Sequence, residues 1–136
     1  MQFVIKAERP DLRARRLAFS AQKTMYGGKT IAAGDTIFIF ASETQGGRGL
    51  VARGVVLSAS SAVPRRGLAR QTPRVSIVVR RTALARRALG RAELTRFSAR
   101  EDGRPEAELN FKFYRQATNK IARVSPAVAA LLERYF

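Results

Sequence analysis

Between Glu43 and Glu93 the chain carries eleven arginines and not one acidic residue. They are Arg48, Arg53, Arg65, Arg66, Arg70, Arg74, Arg80, Arg81, Arg86, Arg87 and Arg91. A guanidinium group is a rigid fork of donors that matches phosphate oxygens in pairs. A solvated surface normally mixes charge signs, so an uncompensated run of this length points to a polyanion, most plausibly nucleic acid. The 136-residue chain as a whole agrees, with 26 Lys and Arg against 10 Asp and Glu and a formal net charge of +16. Arginine outnumbers lysine 21 to 5. A GC-rich codon bias accounts for Arg in place of Lys but not for the shortage of acids.

The inventory removes most catalytic chemistries. With no cysteine and no histidine, disulfides, thiolate or imidazole metal sites, and Ser-His-Asp or Cys-His catalysis are excluded. An enzyme built from this chain would need Glu8, Asp35 or Glu43 with a divalent metal. Asp35 reads instead as a turn residue before a strand, and the acids from Glu101 to Glu106 sit in a Gly- and Pro-containing turn among arginines. Gly27-Gly28-Lys29-Thr30 ends like a phosphate-binding loop, but the required first glycine position is Lys23 and no strand leads in. No catalytic residue, metal or cofactor is therefore expected, and the reading is a non-enzymatic module.

The elements that must position these residues follow from periodicity. Met1 to Ala7 alternates as a strand, with Phe3 and Ile5 on one face and Val4 and Lys6 on the other. Asp11 can cap a short helix with Leu12, Arg15, Arg16 and Phe19 at helical spacing. Ile31 to Leu57 is the spine: Thr36 to Phe40 and Leu50 to Leu57 are apolar runs joined by a glycine-rich turn, which predicts paired strands. Both faces of the first run are apolar, as in a closed or covered sheet. Ser58 to Arg74 reads as a long loop and Val75 to Val79 as a strand. Thr82 can cap a helix carrying Leu84, Ala88 and Leu89, with Gly90 ending it and Ala92 to Phe97 following as a short segment. Leu109 to Tyr114 alternates as a last strand. Ser125-Pro126 starts a closing helix whose apolar stripe is Val128, Leu131, Leu132 and Tyr135.

This order predicts a single α+β domain over residues 1–136, a mixed β-barrel of about five to six strands with peripheral helices, one of them C-terminal. No early apolar run reaches signal-peptide length and none approaches the roughly 20 residues of a spanning helix, so a cytoplasmic protein with no membrane partner is expected.

Five passages resemble the EVE-like branch of the PUA-like superfamily. Phe3-Val4-Ile5-Lys6-Ala7-Glu8-Arg9-Pro10 resembles that family's opening strand and its Lys-Ser-Glu-Pro segment, with Ala7 for Ser and Arg9 inserted. Ile31 to Ser42 resembles the segment ending Tyr-His-Ser there and Phe40-Ala41-Ser42 here, and Gly49 to Val56 resembles the strand that returns from it. Pro73 to Val79 and Arg123 to Pro126 match more loosely. The resemblance implies a pseudobarrel that binds DNA or RNA, with some members holding a modified base in a pocket. Mapped by position, the pocket would draw on Lys6, Ala7, Glu8, Tyr26, Phe40, Ala41 and Ser42. Two departures stand out: the chain has no tryptophan, and Ala41 occupies the histidine position. Tyr26, Phe19 and Tyr114 are left as stacking groups. The alternative partner is an acidic protein meeting the positive face.

Overall fold

A computed structural model describes residues 1–63, 67, 72–97, 103–115 and 118–136. Six strands close into a barrel: β1 (Gln2–Ala7), β2 (Arg16–Met25), β3 (Thr36–Ala41), β4 (Gly49–Ser61), β5 (Arg74–Leu84) and β6 (Ile121–Arg123), in the spatial order β1-β3-β4-β5-β2-β6. The pairs β1–β3 and β2–β6 are parallel and the other four are antiparallel. Closure leaves no unpaired sheet edge.

Alternation along the strands divides the apolar residues into two cores. Phe3 and Ile5 of β1, Ile37 and Ile39 of β3, and Val75, Ile77 and Val79 of β5 fill the barrel. Val4, Phe38 and Phe40, one residue out of phase, point outward beneath a helical layer with Leu109, Phe113, Val128 and Leu132. The doubly apolar run at residues 37–40 thus has the covered position that its sequence predicts. The layer consists of α1 (Arg91–Leu94), α2 (Pro105–Leu109), a π-helical turn over Asn110–Arg115, and α3 (Pro126–Glu133). Ser125 caps α3, its Oγ accepting from the Val128 N–H at 3.2 Å, as Ser before Pro predicts.

Five expected elements differ in the structure. The helix expected after Asp11 is β2: Leu17 and Phe19 enter the barrel at period two, and pairing with β5 decides the matter over local propensity. Asp11 makes only a local turn, its Oδ1 accepting from the Arg13 N–H at 3.1 Å. The helix expected after Thr82 is the end of β5, where the Thr82 hydroxyl donates across the ladder to the Arg53 carbonyl at 3.1 Å. The strand expected over Leu109 to Tyr114 is helical. Leu109 and Phe113, four apart, are both fully buried while Phe111 between them is partly exposed, so the true period is the longer one. Glu106, expected in a turn, lies in α2. The stretch expected as a loop after Leu57 is shortened, because β4 runs on to Ser61.

Gly28 is held against β6. A Cβ there would lie 2.1 Å from the Ile121 carbonyl oxygen, so only glycine allows this approach. The Gly-Gly-Lys-Thr segment is a single 3₁₀ turn from Gly28 to Thr30 that packs on the barrel.

Candidate functional site

The middle of β2 breaks its register with β5 between Phe19 and Gln22. This bulge turns Ala21 into the left-handed region, φ 47°, and removes its peptide groups from the ladder. Two side chains of β5 replace the lost partners. Ser76 Oγ accepts from the Ala21 N–H at 2.9 Å, and Arg74 Nη1 donates to the Ala21 carbonyl at 2.8 Å.

Beside the bulge lies an open cleft of about 590 Å³. Its β2 wall includes Phe19, Gln22 and Lys23, and Arg74 joins them from β5. The rest of the lining comes from three chain segments at one end of the barrel: Ala7 and Glu8 after β1, Thr44 after β3, and Thr118 and Asn119 before β6. Its polar groups are of both kinds, a carboxylate at Glu8, amides at Gln22 and Asn119, and cations at Lys23 and Arg74. Gln22 spends its Nε2 on the Ser20 carbonyl at 2.9 Å, which leaves its carbonyl oxygen as an acceptor. Such a cleft can read hydrogen-bonding edges while its cations hold an anion beside them.

Behind the Ala7–Glu8 and Thr118–Asn119 wall are two buried amines. Lys6 donates to the Phe113 carbonyl at 3.1 Å and lies 4.8 Å from the Tyr114 ring centre. Lys120 donates to the Thr118 carbonyl at 3.1 Å and faces the Phe113 ring. Burial lowers both pKa values. Arg91 lowers that of Lys6 further while Glu43 opposes the fall; burial and then Lys6 bring Lys120 down to about 8. Tyr114 closes the group, its hydroxyl donating to Glu43 at 2.7 Å. Burial first, and then that bond, push its pKa up.

A second cavity of about 540 Å³ lies on the far side of Tyr114, between Arg91, Asn110 and Arg115. Arg91 faces the Tyr114 ring at 5.5 Å, and its N–H donates to the same Glu43 carboxylate at 2.8 Å. Glu43 is therefore consumed in joining the turn after β3 to α1 and the π turn.

No family model and no curated protein matches the sequence. Solved structures do match over nearly the full length. The DUF55 domain of human thymocyte nuclear protein 1 superposes with a TM-score of 0.64 at 13% identity, covering 99% of this chain and 98% of that one. The same human protein in complex with 5-methylcytosine-containing DNA gives 0.65 at 15% identity, covering 98% and 96%. A protein from Pseudomonas syringae gives 0.61 at 15%, covering 100% of both chains. The fold is EVE-like and PUA-like. The mixed barrel with a C-terminal helix, expected from the order of the elements, is what the chain forms.

Within this EVE-like fold the residues mapped onto a pocket separate into groups. Ala7 and Glu8 line the cleft. Ser42 stands just behind it, buried, its hydroxyl 2.9 Å from that of Thr44. Ala41 is buried beside Gly47. Lys6 and Phe40 are turned to the helical layer by strand alternation, Phe40 packing edge-on against Phe113 at 5.0 Å. Tyr26 is directed away, its ring 6.0 Å from Phe111 and near Lys112. The structure thus does not bring Lys6, Phe40 and Tyr26 to a common opening with Glu8. Of the three stacking groups, Phe19 lines the first cleft and Tyr114 the second.

The arginines also divide. Arg65, Arg66 and Arg70 lie outside the described residues. Arg53 pairs with Glu133 and faces the Phe136 ring. Arg87 donates to the Arg134 carbonyl at 2.7 Å and faces Tyr135, so these two fasten the C-terminal helix to the barrel. Arg81 donates to the Ala14 carbonyl at 3.3 Å. Arg48, Arg80 and Arg86 are exposed, and their side chains make no hydrogen bond or ion pair among the described residues. Gln22, Lys23 and Asn119 were not singled out by sequence. Only the β2–β5 register and the approach of β6 bring them to the cleft, and no local pattern encodes either.

Proposed function

We propose that this chain is a non-enzymatic nucleic-acid-binding module that receives a single extruded base in the cleft beside the β2 bulge. The observation that carries this reading is the meeting, in one cleft, of unpaired edge-reading groups with two cations. The side chains of Glu8 and Asn119 make no hydrogen bond among the described residues, and Lys23 and Arg74 line the same cleft. The structural likeness to a human protein bound to 5-methylcytosine-containing DNA supports the same reading.

In this account Phe19 forms part of the floor, and Glu8 accepts a hydrogen bond from an exocyclic amine such as cytosine N4. Asn119 and the free oxygen of Gln22 complete the edge. Lys23 and Arg74 hold the phosphates that flank the extruded nucleotide. Extrusion costs a few kcal/mol, least at an unpaired site, so a duplex with one mismatched cytosine is the informative ligand. Binding should be several-fold tighter to that duplex than to its fully paired counterpart, with or without a 5-methyl group. Glu8→Ala should erase the preference while leaving the salt dependence in place. Equal binding to paired and mismatched duplexes, unaltered by Glu8→Ala, would overturn the base-cleft assignment.

A further inference from the structure

Three neighbouring strands of the barrel, β4, β5 and β2, contain no acidic residue at all. Four acids of the helical side are engaged there: Glu43 by Tyr114 and Arg91, Glu93 by the Gly90 N–H, Glu108 by Lys112 and Ser125, and Glu133 by Arg53. Charge is thus polarised across the barrel.

On the outer face of β2 and β5 the register sets like charges side by side. Arg16 is directly opposite Arg80, and Lys23 is directly opposite Arg74. Cross-strand partners have Cβ atoms only about 5 Å apart, and like charges so placed destabilise a sheet. Arg16 and Arg80 are exposed, and neither side chain makes an ion pair or hydrogen bond among the described residues. The two pairs lie about 20 Å apart along β5 at the usual strand rise. Between them the face is small and hydroxylated: Ala18, Ser20, Ser58 and Ser60 are exposed on it.

We infer that this outer face of β2, β5 and β4 is a track for the phosphate backbone of the nucleic acid whose base enters the cleft. The inference rests on the proposed function and extends it from the cleft to a second, continuous surface. Ala18, Ser20, Lys23 and Arg74 belong to both, so a strand leaving the cleft passes directly onto the face. At about 3.4 Å per nucleotide along one strand, the distance between the two cationic pairs corresponds to about six phosphates. Serine hydroxyls and close-lying backbone suit a sugar-phosphate chain. An acidic protein would be expected to use large aromatic and apolar anchors, and these three strands expose only two large apolar side chains, Leu57 at the β4 bulge and Leu84 at the end of β5.

The test compares two double variants of equal charge change on a duplex oligonucleotide: Arg16→Ala with Arg80→Ala on the face, and Arg86→Ala with Arg134→Ala near the end of the C-terminal helix. The face variant should lower the slope of log K against log salt by about 2, roughly one for each lost phosphate contact, and the other pair should leave it nearly unchanged. Thermal stability should hold or rise in the face variant, because a like-charge pair is relieved. Equal slope changes in both variants would overturn the track, as would an unchanged slope in the face variant, while wild-type binding would still uphold the proposed function. Polyglutamate that binds as tightly as the duplex and is weakened equally by the face substitutions would assign the surface to an acidic protein and overturn the inference.

Discussion

Arg74 donates its guanidinium to the carbonyl of Ala21 at 2.8 Å across the β2 bulge. One bond thereby couples a cationic group to the shape of the strand that walls the cleft. The bulge leaves Ala21 with a left-handed backbone and no ladder partner, and Arg74 and Ser76 satisfy its two peptide groups from the next strand. Bulges commonly re-aim side chains beside functional sites, and here the residues on either side of the kink, Phe19, Gln22 and Lys23, all line the cleft.

Replacing Ser76 by Ala removes the acceptor for the Ala21 N–H. Because Ala21 is exposed, water can substitute in part, and the cost should be about 1 kcal/mol. Urea denaturation should show a lower midpoint with an unchanged slope. An unaltered midpoint would mean that the bond does not hold the bulge.

The buried Lys120 makes stability depend on pH in a definite direction. Its folded pKa of about 8 lies below the ordinary lysine value of 10.5. Between those values the unfolded chain binds more protons, so stability rises with pH across that window and is lost as pH falls through 8. Tyr114 acts oppositely above pH 10, since its raised pKa keeps the folded phenol protonated after the unfolded one ionises. The melting temperature should therefore climb from pH 8 toward 10 and then turn downward. Lys120→Met should climb less over the same range; an identical profile in that variant would place the pH dependence elsewhere.

The elements with one unambiguous signal were legible in the sequence. Alternation in Phe3 to Ile5, the doubly apolar Ile37 to Phe40, and the Ser125-Pro126 cap each specify their element locally. Misread segments carried two periods at once. Leu12 to Phe19 satisfies a helical spacing, yet Leu17 and Phe19 also alternate, and only pairing with β5 chooses between them. Leu109, Phe111 and Phe113 alternate perfectly but are helical, because Pro105 opens a turn in which Lys112 reaches back to Glu108 at 3.0 Å. The site was legible in part. Ala7 and Glu8 came from the opening-strand motif, whereas Lys6 and Phe40 face the helical layer by the parity of their own strands. Placing Asn119 in one cleft with Lys23 requires the closure of the barrel through β6, a long-range fact without a local trace.

The central claim, that an anionic nucleic-acid backbone lies along the acid-free cations, is tested most directly by the salt dependence of duplex binding. With Arg16, Lys23, Arg74 and Arg80 each neutralising one phosphate, log K should fall linearly with log salt at a slope of about −3 to −4, from the release of about 0.9 counterion per contact. The measurement is a fluorescence-anisotropy titration of a labelled duplex between about 50 and 200 mM salt, the range over which such contacts are read. A steep linear fall is the predicted result. Absence of binding at the low-salt end, or an affinity that stays constant across the range, would contradict the account.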